Sequence, residues 1–206
     1  MTGHDGPKYA SKIHFAGLAL LLDMTQIGMA LAGEIDPASV PAAKQTIAKN
    51  YLSAKEAATM KQSMGGKAFL VDVRTQAELE YVGVADMMDA DIPYMTDDYT
   101  AWDDKKARYM MSSNSGFLSK MSDAMTKAGL DKSSPVIVMC RSGDRSARAA
   151  DLLSKSGYTT VYSVVEGFEG DQAKDGDHKG QRVVNGWKNA GLPWSYNLNK
   201  GKMYIE

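Results

Sequence analysis

The sequence predicts an α/β fold in three layers, α/β/α, around a central, mostly parallel sheet. Three observations lead there. Short apolar runs at Lys67–Arg74, Pro135–Met139 and Thr160–Val164 read as buried strands. Segments with helix caps or helical spacing separate them. Strands alternating with helices of this length make a parallel sheet covered on both faces.

In chain order, the N-terminus comes first. Lys8 and Lys12 precede the apolar run Phe15–Leu22, and Ala30-Leu31-Ala32 precedes Gly33. A basic start, an apolar core and small residues at the end follow the plan of a secretory signal peptide. Residues 1–32 are therefore expected to be a leader and the remainder periplasmic or secreted. Asp23 counts against this, because it breaks the apolar stretch. A buried amphipathic helix is the competing reading. The uncharged run is well short of the ~20 residues that span a bilayer, so no stable membrane anchor is expected. Residues 33–50 read as a linker in which Pro37 and Pro41 limit helix.

Ser53 can cap a helix through "AKEAATMKQ". After the first strand, Thr75 and Glu78 have the spacing of a capping box, so a short helix follows. From Ala90 to Ser113 aromatics, acids and Met mix without a steady period, which predicts an excursion with short strands. Phe117, Leu118, Met121, Ala124, Met125 and Ala128 repeat at helical spacing and stop near Gly129. Ser146–Gly157 reads as an amphipathic helix after the second strand. A Gly-rich acidic loop follows the third strand, and "QRVVNGWKNAG" reads as a last helix.

Composition excludes several classes of function. The chain has 206 residues, 44% apolar, and a formal charge of −1. That is room for one ordinary domain and a leader. It does not suggest a general nucleic-acid binder or a polybasic membrane-surface protein. The single cysteine, Cys140, rules out an internal disulfide and any paired-cysteine metal or redox motif.

Ligands of parallel sheets sit beyond the carboxyl ends of the strands. Cys140 lies at that end of the second strand, and Asp72 at that end of the first. In a strand–loop–helix setting, "CRSGDR" curls over a helix N-terminus, and Gly143 permits an unusual backbone angle. Such a nest binds anions and favours the thiolate, the reactive form of cysteine. Arg141 and Arg145 add positive charge. An inert, buried thiol is the commoner fate of a lone cysteine; the arginine-rich loop favours the reactive reading here.

These residues carry a family resemblance. "CRSGDRS" resembles the active-site loop of rhodanese-type sulfurtransferases, and "FLVDVRTQAELEYVGV" resembles the segment bearing aspartate and arginine early in that fold. "VYSVVEGFEG" and "VNGWKNAGLPWSY" look like the closing part of an exported single-domain subgroup. The resemblance spans residues 51–196, leaving 197–206 as a tail. "VGVADMMDADIP" departs from the common wording of the family.

The resemblance implies a rhodanese-like fold and a double displacement through a Cys140 persulfide. Sulfur would pass from thiosulfate or a persulfide donor to cyanide, a thiol or a sulfur-accepting protein. Cys140 is the catalytic residue in that reading. Arg141, Ser142, Gly143, Asp144, Arg145 and Ser146 bind substrate. Asp72 and Arg74 support the loop and orient Arg145, with an ordinary strand-end ion pair as the alternative. No cofactor and no metal is called for.

Cys-loop phosphatases and arsenate reductases resemble this site but place an arginine at the sixth position after the cysteine, where this chain has Ser146. A cysteine hydrolase needs a His base, and beyond the leader only His178 remains. A non-catalytic sulfur carrier or binding module on the same fold is the other alternative; such modules usually lack the cysteine. Glu169, Asp171, Asp175, Asp177 and His178 fit no calcium-loop spacing, and a solvated acidic loop is the better reading. The 14 Met residues read as core filler, and Trp187 and Trp194 as packing.

Overall fold

The computed structural model describes Thr2 and residues 35–205. The leader expected over 1–32 thus lies, apart from Thr2, outside the described residues. Residues 35–50 form two short 3-10 turns laid against the domain. Val40 packs with Tyr51 and Val165, Lys44 pairs with Asp171 at 2.7 Å, and the Ile47 N–H donates to Asp151.

The elements are β1 (Tyr51–Leu52), α1 (Ala54–Met64), β2 (Phe69–Asp72), α2 (Gln76–Val82), β3 (Val84–Ala85), β4 (Ala90–Asp91), β5 (Met95–Asp103), β6 (Arg108–Ser113), α3 (Phe117–Lys127), β7 (Val136–Met139), α4 (Asp144–Lys155), β8 (Val161–Val164) and β9 (Trp194–Ser195). The central sheet runs β1-β8-β7-β2-β4, and every pair in it is parallel. The Thr75–Glu78 capping box forms and opens α2, and Ser53, expected as a cap, opens α1 in a second box with Glu56. Each satisfies two amides that a helix start would otherwise leave bare.

Strand alternation divides the core. Phe69, Val71, Val136 and Val138 pack with Phe117, Met121 and Met125 of α3 and with Ala149, Ala150 and Leu153 of α4. The alternate residues Leu70, Ile137 and Met139 point the other way and are also fully buried, so both faces are covered. Burial of each large apolar side chain contributes about 1.5–3 kcal/mol. Among the described residues, no helix is long and apolar enough to cross a membrane.

The structure differs from the sequence reading in four places. β1 has only two residues, too short to leave an apolar run. The excursion holds an antiparallel hairpin, β5–β6, whose first strand is nine residues long rather than short. α4 begins at Asp144, two residues early, because left-handed Gly143 caps it. The last helix is absent: 181–191 folds as turns. Gly186 has φ 98°, and a Cβ there would lie 2.5 Å from the Gly170 nitrogen. That close crossing of two backbones excludes a continuous helix, and it sends Trp187 fully into the interior.

Candidate active site

The register aligns the carboxyl ends of β2 and β7, pairing Asp72 with Met139. The next residue after β7 is Cys140, at the bottom of a turn that runs straight into α4. Gly143 makes that turn possible. Its φ is 102°, and a Cβ would meet the Val165 carbonyl oxygen at 2.2 Å; only glycine fits. The Gly143 N–H donates to Cys140 Sγ at 3.2 Å. Ser146 Oγ lies 3.6 Å from Sγ, donates to the Gly143 carbonyl at 3.0 Å and accepts from Ser163 Oγ at 3.1 Å. The sulfur therefore sits over the positive end of α4, between a backbone donor and a buried hydroxyl network. From the far side, the Phe168 N–H donates to the Cys140 carbonyl at 2.8 Å, and those of Glu169 and Gly170 donate to the Arg141 carbonyl.

The predicted loop residues do not all face one way. Cys140, Arg141, Ser142, Asp144 and Arg145 line a cavity of about 630 Å3. Ser146, expected to bind substrate, is fully buried and bonds inward beneath the sulfur, because the third residue of α4 turns toward the sheet. Asp144 pairs with Arg148 at 2.9 Å on the outer face of α4. Arg145 makes a two-pronged contact with Glu78, both bonds 2.6 Å. Burial disfavours both charges, but the pairing outweighs it: Glu78 ends below its ordinary pKa and Arg145 above. Arg141 Nε lies 2.8 Å from Glu169 Oε1 as an ion pair, without an aligned hydrogen bond. Both loop arginines are thus matched by carboxylates.

Asp72 and Arg74 form a fully buried pair, joined by contacts of 2.8–3.0 Å. Arg74 also donates to the Gly83 carbonyl and stacks 4.0 Å from the centre of the Phe168 ring. The expectation that they orient Arg145 is corrected: Glu78 does so, since α2 carries it to the rim while Asp72 is turned back onto Arg74. Their link to the loop runs through Phe168, whose amide holds the Cys140 carbonyl.

Sequence reasoning missed Glu78, Glu169, Phe168 and Arg182. Glu78 had a signal, because its capping box already placed it just beyond a strand end. The sequence places Glu169 in a solvated acidic loop, yet its carboxylate and that of Asp171 are committed to Arg141 and Lys44. Arg182 lines the cavity from the final loop, its Nη1 donating to the Gly170 carbonyl at 2.5 Å. The other wall of the cavity is the β5–β6 hairpin.

A parallel α/β sheet presenting a thiol at a strand end, over a helix N-terminus, defines a cysteine-loop protein. The chain belongs to the rhodanese-like domain family, whose model matches residues 53–174. An uncharacterized protein of Rickettsia prowazekii (strain Madrid E) is 30% identical over 140 residues, covering 65% of this chain and 87% of that one. One from Rickettsia conorii is 30% identical over 133 residues, covering 63% and 84%. Among solved structures, Rv0390 from M. tuberculosis is 31% identical with a TM-score of 0.55, covering 71% of this chain and 97% of that one. A polysulfide-sulfur transferase homodimer from Wolinella succinogenes is 24% identical with a TM-score of 0.43, covering 70% and 77%.

Proposed function

We propose that the chain is a sulfurtransferase in which Cys140 carries the transferred sulfur. Membership of the rhodanese-like family supports a role of that type. The observation that carries the reading is the placing of Cys140, in the lining of the cavity with the Gly143 N–H 3.2 Å from its Sγ. In thiolate form, Sγ attacks the outer sulfur of an anionic donor. With thiosulfate the new S–S bond forms as the donor's S–S bond breaks, and the electron pair leaves with sulfite. A Cys140 persulfide anion remains. Cyanide, a small thiol or a thiol on a partner protein then attacks the outer sulfur and restores the Cys140 thiolate. One cysteine serves both halves.

Because Glu78 and Glu169 match the loop arginines, stabilisation of the anion falls chiefly to the Gly143 amide and the α4 N-terminus, already in place before the donor arrives. Arg145 then acts as a strut between α2 and α4. Export to the periplasm, with cleavage after Ala32, is part of the proposal and rests on the leader-like sequence alone.

The test is intact-mass analysis of the full chain after incubation with thiosulfate and, separately, with glutathione persulfide. The expected product gains the mass of one sulfur atom, which cyanide removes as thiocyanate. A chain that gains no sulfur from either donor overturns the reading.

A further inference from the structure

The hairpin β5–β6 has no structural reason to be apolar. Its strands pair only with each other, and none of its residues is fully buried. A two-stranded hairpin is marginal on its own. Yet Tyr99, Trp102, Tyr109 and Met110 are all exposed. Tyr109 meets Tyr99 and Trp102 edge-on, at 5.2 and 5.4 Å between ring centres. Exposed apolar surface next to a reactive group marks a binding site rather than a core.

The same hairpin closes the cavity above Cys140. Met95, Tyr109, Met110 and Met111 line one side, and the cysteine loop lines the other. About 630 Å3 lies in the range that holds a ligand of drug size. Thiosulfate, five heavy atoms with no apolar part, fills only a small fraction of it.

The charges in that cavity are unequal in what they leave free. Arg141, Arg145 and Arg148 are each paired with a carboxylate. Among the described residues, neither the exposed Arg108 of β6 nor Arg182 has a carboxylate pair, and of the two it is Arg182 that is held in place. Its Nη1 is fixed on the Gly170 carbonyl, and its Nε is buried without a partner. Burial and the nearby Arg141 charge push its pKa down, and Glu169, Asp171 and Glu78 offset this only in part. A guanidinium anchored at one nitrogen and beside another cation is set for a carboxylate from outside.

We propose that the β5–β6 hairpin and Arg182 build a second subsite beside Cys140, which holds the organic part of a carboxylate-bearing thiol or its persulfide. This rests on the sulfurtransferase reading and names its substrate class. The apolar stem lies against Tyr109 and Met110, the carboxylate meets Arg182, and the terminal sulfur reaches Sγ. From a persulfide R–S–SH the Cys140 thiolate takes the outer SH: the Sγ–S bond forms, the donor S–S bond breaks, and R–S⁻ departs with the electron pair. The proton stays on the transferred sulfur.

Two measurements on the full chain test this. The first is calorimetric binding of S-methylglutathione, which carries the stem and carboxylates but cannot transfer sulfur. The parent is expected to bind it. Arg182→Gln and Tyr109→Ser should each weaken binding about tenfold, the scale of one charged or well-packed contact, and Arg182→Lys should recover part of the loss. The second is the rate of Cys140 loading from glutathione persulfide and from thiosulfate. Both variants should shift kcat/KM toward thiosulfate by a similar factor. Unchanged melting temperatures show that the variants are folded. No binding by the parent, or the same binding and donor preference in parent and variants, overturns the subsite. If S-methylglutathione binds with the expected dependence and Cys140 accepts no sulfur from any donor, the subsite stands and the sulfurtransferase reading falls.

Discussion

Cys140 is 1% exposed and receives one backbone donor, so its chemistry depends on atoms placed to within a few tenths of an ångström. Cys140→Ser should abolish both the sulfur adduct and thiocyanate formation while leaving the melting temperature near that of the parent. Retained transfer in that variant would place the sulfur elsewhere. Glu78 and Arg145 form a nearly closed pair, with side chains 19% and 13% exposed. Removing one partner strands the other's charge. Glu78→Met and Arg145→Met should each cost about 2–4 kcal/mol, and the double variant less than their sum. Additive losses in urea unfolding would show that the pair is not coupled. Asp91 is the opposite case. Burial, then repulsion from Asp72, raises its pKa from 3.8 to about 8. The unfolded chain ionises first, so this group's contribution to stability is whole below about pH 4 and is lost as pH rises toward 8. Asp91→Asn mimics the protonated acid. Its stability advantage should grow from near zero at pH 4 to on the order of a few kcal/mol at pH 8; a constant difference across that range would refute the assignment.

At the scale of elements, the cysteine loop is fixed by what crosses over it. Gly143→Ala would drive a methyl group into the Val165 carbonyl at a backbone angle that alanine resists. It should cost about 2–4 kcal/mol and slow Cys140 loading, because the 143 amide moves off the sulfur. Parent-like stability and loading in that variant would mean that the loop is less constrained than its geometry implies. The same scale shows where sequence sufficed. β2, β7 and β8 are apolar runs with one reading, and α2 and α3 carry a cap or a steady period. The thiol at the strand end follows from that order alone. The hairpin had no such signal, because a strand pair with no buried face has no alternation to detect. The last segment has the composition of a helix but does not form one, because Gly186 answers to Gly170, a residue on another turn. Glu169 and Arg182 carry no local signal, and for Glu78 the capping box gives the place but not the partner: which arginine a carboxylate chooses is decided by the assembled rim, and spacing along the chain does not record it.

For the whole molecule, residues 35–50 tie distant parts together. Their 3-10 turns bring Val40 onto Tyr51 and Val165, and Lys44 onto Asp171. The Lys44 side chain also lies where a Cβ on Gly143 would meet it at 2.9 Å, next to the cysteine loop. This segment belongs to the folded domain although its sequence reads as a linker, and a cleavage after Ala32 would leave it intact. Export and folding are then compatible: a mature chain starting at Gly33 retains every contact described for 35–205. An exposed thiolate in an oxidising compartment is open to capping and over-oxidation; a cysteine 1% exposed in the lining of a cavity is less so. The proposed export is checked by N-terminal sequencing of the protein from its native host, which should find Gly33 first, in the periplasmic fraction. A start at Met1 or Thr2 in the cytoplasm refutes export. Val40→Asp should lower stability by about 1–3 kcal/mol, as a charge placed among apolar neighbours does, and should weaken Cys140 loading because the loop loses its backing. If that variant unfolds and reacts like the parent, residues 35–50 are a tether after all.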